Sequence, residues 1–256
     1  MNLRNPARIA VAAMVLMVGV FLSTGRGACA DSPLNVYVVN YPLKYLAERI
    51  GGSHVKVTLP VPASVDPVYW VPSIEVIGQY QQADLILLNG AGYAKWVRKV
   101  SLPQSKTLDT SRAFKDRYIT AKEITTHSHG AEGEHAHEAL AFTTWLDFDL
   151  AARQAQAVCQ ALVRKRPEHK TTFEASCARL VGQLEALDSE LKTVVAAGPQ
   201  QPLLTSHPVY DYLAKRYGLA IASLHWGPDQ VLNDEQIFEL RAVVKNHPAK
   251  WMIWEG

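Results

Sequence analysis

Charge of either sign is nearly balanced in this chain, cysteine is scarce, and no apolar run is long enough to cross a bilayer. Each shortage removes a class of function. Lys and Arg number 26 against 24 Asp and Glu. Arg4, Arg8 and Arg26 fall in the first thirty positions, which hold no acid, so the rest carries 23 basic against 24 acidic residues. Such a surface offers no long-range field to nucleic acid or to an anionic membrane. The longest apolar stretch, Ile9 to Leu22, has fourteen residues, short of the ~20 that a membrane helix needs. With Arg4 and Arg8 before it and Ala28-Cys29-Ala30 after it, it reads as a secretory signal cleaved near Ala30, which places the mature chain in the periplasm or an equivalent extracytoplasmic space. A lipid anchor on Cys29 is less favoured, because Arg26 stands where a lipobox has an aliphatic residue.

Motifs for chemistry are missing too. There is no His-Glu-x-x-His, no glycine-rich phosphate loop and no Gly-x-Ser-x-Gly elbow. Ser206 and His207 are chain neighbours, which does not give triad geometry. The chain is therefore not expected to be an enzyme. Two cysteines remain beyond the leader, Cys159 and Cys177, nearly equidistant from Pro167. A helical hairpin turning at Pro167 would join them as a disulfide. Two buried thiols on apolar helix faces fit the same spacing, which alone does not decide.

What is present is strand text alternating with helix text. Strands are expected at Asn35–Val39, Val55–Leu59, Asp84–Asn89, Pro202–Ser206, Leu219–Leu224 and Lys250–Glu255. Helices are expected through Leu43–Ile50, Ile74–Gln82, Asp147–Arg166, Pro167–Val195, Pro208–Arg216 and Asp234–Lys245. This alternation argues for parallel sheets covered by helices. On the longest helix Phe173, Cys177, Leu180, Val181, Leu184, Leu187, Leu191 and Val194 form one apolar stripe along nearly the whole length. The last three strands have no closing helix, so the second block reads as incomplete and the chain as a fragment.

One segment interrupts the rhythm. Residues 126–138 read THSHGAEGEHAHE, with four of the nine histidines of the chain. Almost devoid of apolar residues, it is expected to be a mobile surface loop. His127 and His129 are two apart, as are His135 and His137, so in an extended segment each pair can converge on one ion. The plainer reading is a solvated, compositionally biased spacer.

The order of parts resembles the solute-binding proteins of zinc and manganese ABC importers. The resemblance covers the chain from about residue 35 to its end. It rests on Tyr41-Pro42-Leu43 with Ile50-Gly51-Gly52, on Asp66-Pro67, and on Ala83-Asp84-Leu85-Ile86 with Asn89-Gly90-Ala91-Gly92-Tyr93 and Trp96. The histidine-rich loop, Trp145-Leu146-Asp147, Ser206-His207 and Tyr217-Gly218-Leu219 complete it. The resemblance implies two Rossmann-like β/α lobes joined by one long rigid helix, with a metal held between them. The division expected is residues 1–30 as leader, 31–166 as first lobe, 167–197 as linking helix and 198–256 as a partial second lobe. It further implies a membrane permease of an ABC transporter as partner, with the chain itself a monomer.

The ligand positions are where this sequence departs from that pattern. The family commonly has histidine after Asp-Pro, where this chain has Val68. It usually has a second two residues before the tryptophan of Trp-Leu-Asp, where this chain has Thr143. Only the Ser-His histidine carries over, as His207, and the acid supplied late in the second lobe would lie beyond Gly256. Valine cannot ligate, threonine is a poor ligand, and a tight zinc site needs about three or four imidazole, thiolate or carboxylate donors. The expected metal ligands are therefore His207 with His127, His129, His135 and His137, and Asp66, His225 and Glu255 as further candidates. Against these stand plainer roles: His207 as a cap for the helix at Pro208, Asp66 as a turn residue and His225 as a structural histidine. His54, His169 and His247 are read as surface residues. Zinc is the first candidate cargo, with manganese, copper or nickel served by the same donors. The expected function is extracytoplasmic metal capture for a permease. The alternatives are a secreted zinc buffer or metallochaperone acting through the loop, or a divergent lobe pair without metal function.

Overall fold

The structure is a computed structural model and describes residues 32–63, 65–120, 140–198, 201–226 and 231–254. The histidine-rich segment 126–138 and Glu255 lie outside the described residues.

The first sheet is built from β1 (Leu34–Val38), β2 (Val55–Thr58), β3 (Leu85–Leu88) and β4 (Thr107–Asp109), in the order β2-β1-β3-β4 and parallel throughout. The second holds β5 (Leu203–Thr205), β6 (Ile221–Ser223) and β7 (Trp251–Ile253), in the order β6-β5-β7 and again parallel. Parallel pairing requires crossover connections, and helices supply most of them: α1 (Tyr41–Gly51), α2 (Ile74–Gln82), α5 (Asp211–Tyr217) and α6 (Asp234–Asn246). Two long helices, α3 (Phe148–Lys165) and α4 (Lys170–Ala197), run between the sheets in sequence and pack as an antiparallel pair. This is the expected arrangement of two Rossmann-like lobes and one long connecting helix.

Local sequence accounts for most boundaries. The Asn40 side chain accepts the Leu43 N–H at 3.1 Å, and Pro42 sits in the first turn of α1, where its missing N–H costs nothing. Asp147 accepts the N–H groups of Asp149 and Leu150 to start α3, and Asn233 with Gln236 makes a reciprocal capping box on α6. Gly218 ends α5 in the left-handed region at φ 67°. The main core lies between the first sheet and helices α1, α3 and α4, with Val36, Val38, Leu43, Ile86, Leu87, Leu162 and Phe173 fully enclosed.

Several expectations are corrected. The turn Pro167–His169 is a short 3-10 segment, so α4 begins at Lys170. Its stripe is buried only through Phe173, Cys177, Leu180 and Leu184, while Leu187 is 46% and Val194 67% exposed. The place that continues the buried stripe is taken by Asp188. The helix expected from Pro208 starts at Asp211, and β4 was not foreseen. In addition, His54 and His169 are not simply surface residues: their rings stack on each other at 3.8 Å, and both meet Phe173 edge-on.

Candidate metal centre

In parallel α/β sheets ligands gather at the carboxyl edge where the strand order reverses. In the first sheet that point lies between β1 and β3, and the residues following them are Asn40 and Asn89. Asn40 Nδ2 donates to Asn89 Oδ1 at 3.2 Å, and Gln154 Nε2 donates to the same oxygen at 3.3 Å. Gln154 also reaches Thr110 Oγ1 at 2.9 Å and accepts from Thr144 Oγ1 at 3.2 Å. Asn89 Nδ2 in turn donates to the Phe142 carbonyl at 2.9 Å. A buried polar network is rigid only when its members are satisfied, and this one fastens the segment carrying Thr143 to the sheet. Beside it, Gly90 makes room for a second cluster of Asp109, Ser111 and Tyr118: its φ is +77°, and a Cβ there would stand 1.9 Å from Ser111 Oγ.

Val68 and Thr143, at the two positions where the family pattern has histidine, are engaged in packing and in a hydrogen bond. Val68 is 7% exposed and belongs to the main core. The Thr143 hydroxyl donates to the Val209 carbonyl at 2.5 Å, tying the first lobe to the segment after β5. Nearby, Tyr93 packs edge-on against Phe142 and Trp145. Burial, and secondarily the charge of Asp66, pushes the Tyr93 phenol above its usual range, so it stays a neutral hydroxyl.

His207 follows β5, the central strand of the second sheet and the point of order reversal there. Its carbonyl accepts from Thr205 Oγ1 at 3.1 Å and from the Val209 N–H at 3.0 Å. Its side chain does not cap α5, which starts three residues beyond Pro208 with no side-chain cap. Its Nδ1 is instead buried with no hydrogen-bond partner among the described residues. An unpaired buried ring nitrogen costs about 1–3 kcal/mol, and a cation is one partner that removes the cost.

The other candidates are dispersed. Asp66 is exposed, and its Oδ1 accepts the Val68 N–H at 2.9 Å, the turn role. His225 is exposed at the end of β6. Among the described residues no group of three His, Cys, Asp or Glu side chains stands close enough to hold an ion. On either side of residues 121–139, Thr120 and Leu140 pair in an antiparallel bridge, and the Ala141 N–H donates to the Ile119 carbonyl at 2.9 Å. That bridge lies three positions from Thr143. An open cavity of about 380 Å³ lies elsewhere, between the end of α4 and the second sheet, lined by Val194, Leu203, Leu219 and Trp251 among others. It carries no metal-binding side chain.

Sequence reasoning missed a charged cluster behind the site. Asp188 of α4, 7% exposed, receives Arg216 Nε and Nη2 at 2.8 and 2.7 Å, Lys192 at 2.6 Å and the Tyr217 hydroxyl at 2.9 Å. Arg216 also stands 3.5 Å from Asp147, the cap of α3, which Arg117 holds from the other side at 2.9 Å. The Arg216 hydrogen bonds, foremost, hold the Asp188 carboxyl well below the usual range. Tyr212 adds an apolar link, buried with Phe114, Ala141 and Leu150. A signal existed: Asp188 falls four residues after Leu184, on the apolar stripe.

Two parallel α/β sheets joined through a long helix, and tied to each other at Thr143 and Val209, define the two-lobed α/β architecture of periplasmic binding proteins. The profile of the family "Zinc-uptake complex component A periplasmic" (ZnuA) matches residues 36–256. The chain belongs to that family, whose members are metal-binding components of transporters and not enzymes. It is 28% identical over 233 residues to the zinc-binding lipoprotein AdcA of Streptococcus pneumoniae, covering 88% of this chain and 46% of AdcA. The chain thus spans about half the length of that relative. It is 28% identical over 260 residues to the high-affinity zinc uptake system protein ZnuA of Bacillus subtilis, covering 96% of this chain and 79% of that protein. The crystal structure of the metal-dependent lipoprotein YcdH from Bacillus subtilis superposes with a TM-score of 0.72 at 24% identity, over 87% of this chain and 79% of that one; this likeness speaks for the fold.

Proposed function

We propose that the chain captures a divalent transition metal outside the cytoplasm, zinc first, and hands it to the membrane permease of an ABC transporter. The observation that carries this is the buried, unpartnered Nδ1 of His207 at the carboxyl edge of β5. In this reading residues 1–30 export the chain, which acts as a monomer, and residues 167–197 link a first lobe (31–166) to a second (198–256). The ion is cargo, so a site of moderate affinity that releases it is an advantage. With valine and threonine at two usual ligand positions, His207 needs further donors. His127, His129, His135 and His137 supply imidazoles from a segment whose flanks are pinned three residues from Thr143. Asp66, His225 and Glu255 are the remaining candidates.

A second reading, favoured by the scattered donors among the described residues, is a secreted zinc buffer or metallochaperone that binds through 126–138 alone. Calorimetric titration with zinc of the chain, of a 126–138 deletion and of His207→Ala separates the two. The proposal expects both changes to weaken tight binding. If deletion abolishes it and His207→Ala changes nothing, the buffer reading stands. If nothing binds, the lobe pair has no metal function. The same titration with manganese, copper and nickel ranks the cargo, because imidazole and carboxylate serve all of them.

A further inference from the structure

Cys159 of α3 and Cys177 of α4 face one another across the helix pair. They are 6% and 7% exposed, are free thiols and belong to the same apolar core. The Cys177 thiol also donates to the Ala155 carbonyl at 3.8 Å. Cys177 therefore lies directly against the α3 backbone, where Ala155 has only a methyl group to hold the helices apart. Cys159 stands one helical turn beyond Ala155 on α3, so the two thiols occupy facing turns from which side-chain rotation and a small interhelical adjustment bring them to bonding distance. Burial, and then the neighbouring sulfur, pushes the Cys159 thiol up to about 12; burial raises Cys177 as well, against the opposing effect of the Cys159 thiol. In the closed hairpin both sulfurs are thus poor nucleophiles and poor metal ligands.

We propose that Cys159 and Cys177 become a disulfide as the chain folds in an oxidising compartment, stapling the first half of α4 to α3. The oxidant is a small-molecule or protein disulfide. One cysteine thiolate attacks it, its S–S bond breaks, and one reduced thiol leaves a mixed disulfide. The second cysteine thiolate displaces the other oxidant thiol. Two cysteines lose two electrons and two protons, and one disulfide gains them. The reaction belongs to the open hairpin, before burial suppresses the thiolates. The staple anchors α4 to the first lobe and leaves its second half, where buried Asp188 meets Arg216 and Tyr217, to the second lobe. It is independent of the metal reading.

The test uses the full chain, reduced in denaturant and refolded in glutathione with glutathione disulfide, then alkylated and digested with trypsin. The two cysteines lie in separate tryptic peptides, Gln154–Arg164 and Thr171–Arg179. The expected result is a single cross-linked species that reduction splits into both peptides, with a Tm about 5 °C or more lower after reduction. The Tm of a Cys159→Ala/Cys177→Ala variant is unmoved by reductant. Recovery of both peptides alkylated separately, or linked to Cys29 or to another chain, overturns the proposal.

Discussion

Asp188→Asn should unlatch the second lobe from the linking helix, and the structure sets the size of the effect. The carboxylate is 7% exposed and takes four hydrogen bonds, two of them from Arg216. Removing one member of a buried pair leaves the other charge uncompensated, at about 3–5 kcal/mol when both are fully buried. Here the Arg216 side chain is 22% and the Lys192 side chain 51% exposed, so water screens part of the loss. Lys192 contributes little, as exposed pairs do, and Arg216 keeps Asp147 at 3.5 Å. An expected loss is about 2–3 kcal/mol, or roughly 5–10 °C in Tm for a chain of this size. Differential scanning calorimetry of the variant measures it. Arg216→Met should cost a similar amount, and the double variant less than the sum, because neither residue is left charged and unpaired. The pH dependence follows with its sign. A carboxyl held below its usual range in the folded state binds protons more readily when unfolded. The stabilisation is therefore complete above the unfolded value near ~3.9. It is lost as pH falls below that value toward the depressed folded one, and Asp188→Asn should lose this acid limb. A variant within about 0.5 kcal/mol of the parent, with an unchanged acid limb, would show that Asp188 does not join the lobes.

The two halves of α4 should respond differently to truncation: Leu184→Ala, in the core, costs about 2–5 kcal/mol, while Val194→Ala, 67% exposed, stays within about 0.5 kcal/mol. Urea unfolding of both tests this, and equal losses would mean that the outer half is covered in solution. Val68→His with Thr143→His should raise zinc affinity by about tenfold or more, since with His207 it puts histidine at all three positions where the family pattern has one, the number a zinc site commonly uses. Competition with a chromogenic chelator reads the change, and an unchanged affinity would place the bound ion away from this edge.

Much of the fold was legible because core-facing periodicity and caps agree. The helix expected at Ile74–Gln82 is the helix found, and the apolar run around Leu85–Leu88 is a central strand buried on both faces. β4 escaped because it is short and at the sheet edge, with every residue half-buried, so no apolar run announces it. The helix expected from Pro208 fails for a reason the sequence does not carry. The Val209 N–H bonds back to His207 and the Val209 carbonyl accepts Thr143 from another lobe, so helix formation waits until Asp211. The stripe on α4 was over-read for a similar reason. Periodicity shows which residues share a face, but not that the face turns from core to a charged contact at Asp188.

The candidate site shows the same limit from the other side. His207 was legible by position, but what supports the proposed role is Nδ1, which is buried without a partner among the described residues although its own carbonyl is hydrogen-bonded. Thr143 read only as a missing ligand. In the structure its hydroxyl is bound to Val209, two residues beyond His207, so the position that lacks an imidazole holds the two cleft edges together. A histidine restored there would have to break that contact before meeting an ion. The affinity gain of the double histidine variant therefore measures two things at once: the donors added, and the cost of opening an edge that threonine keeps closed.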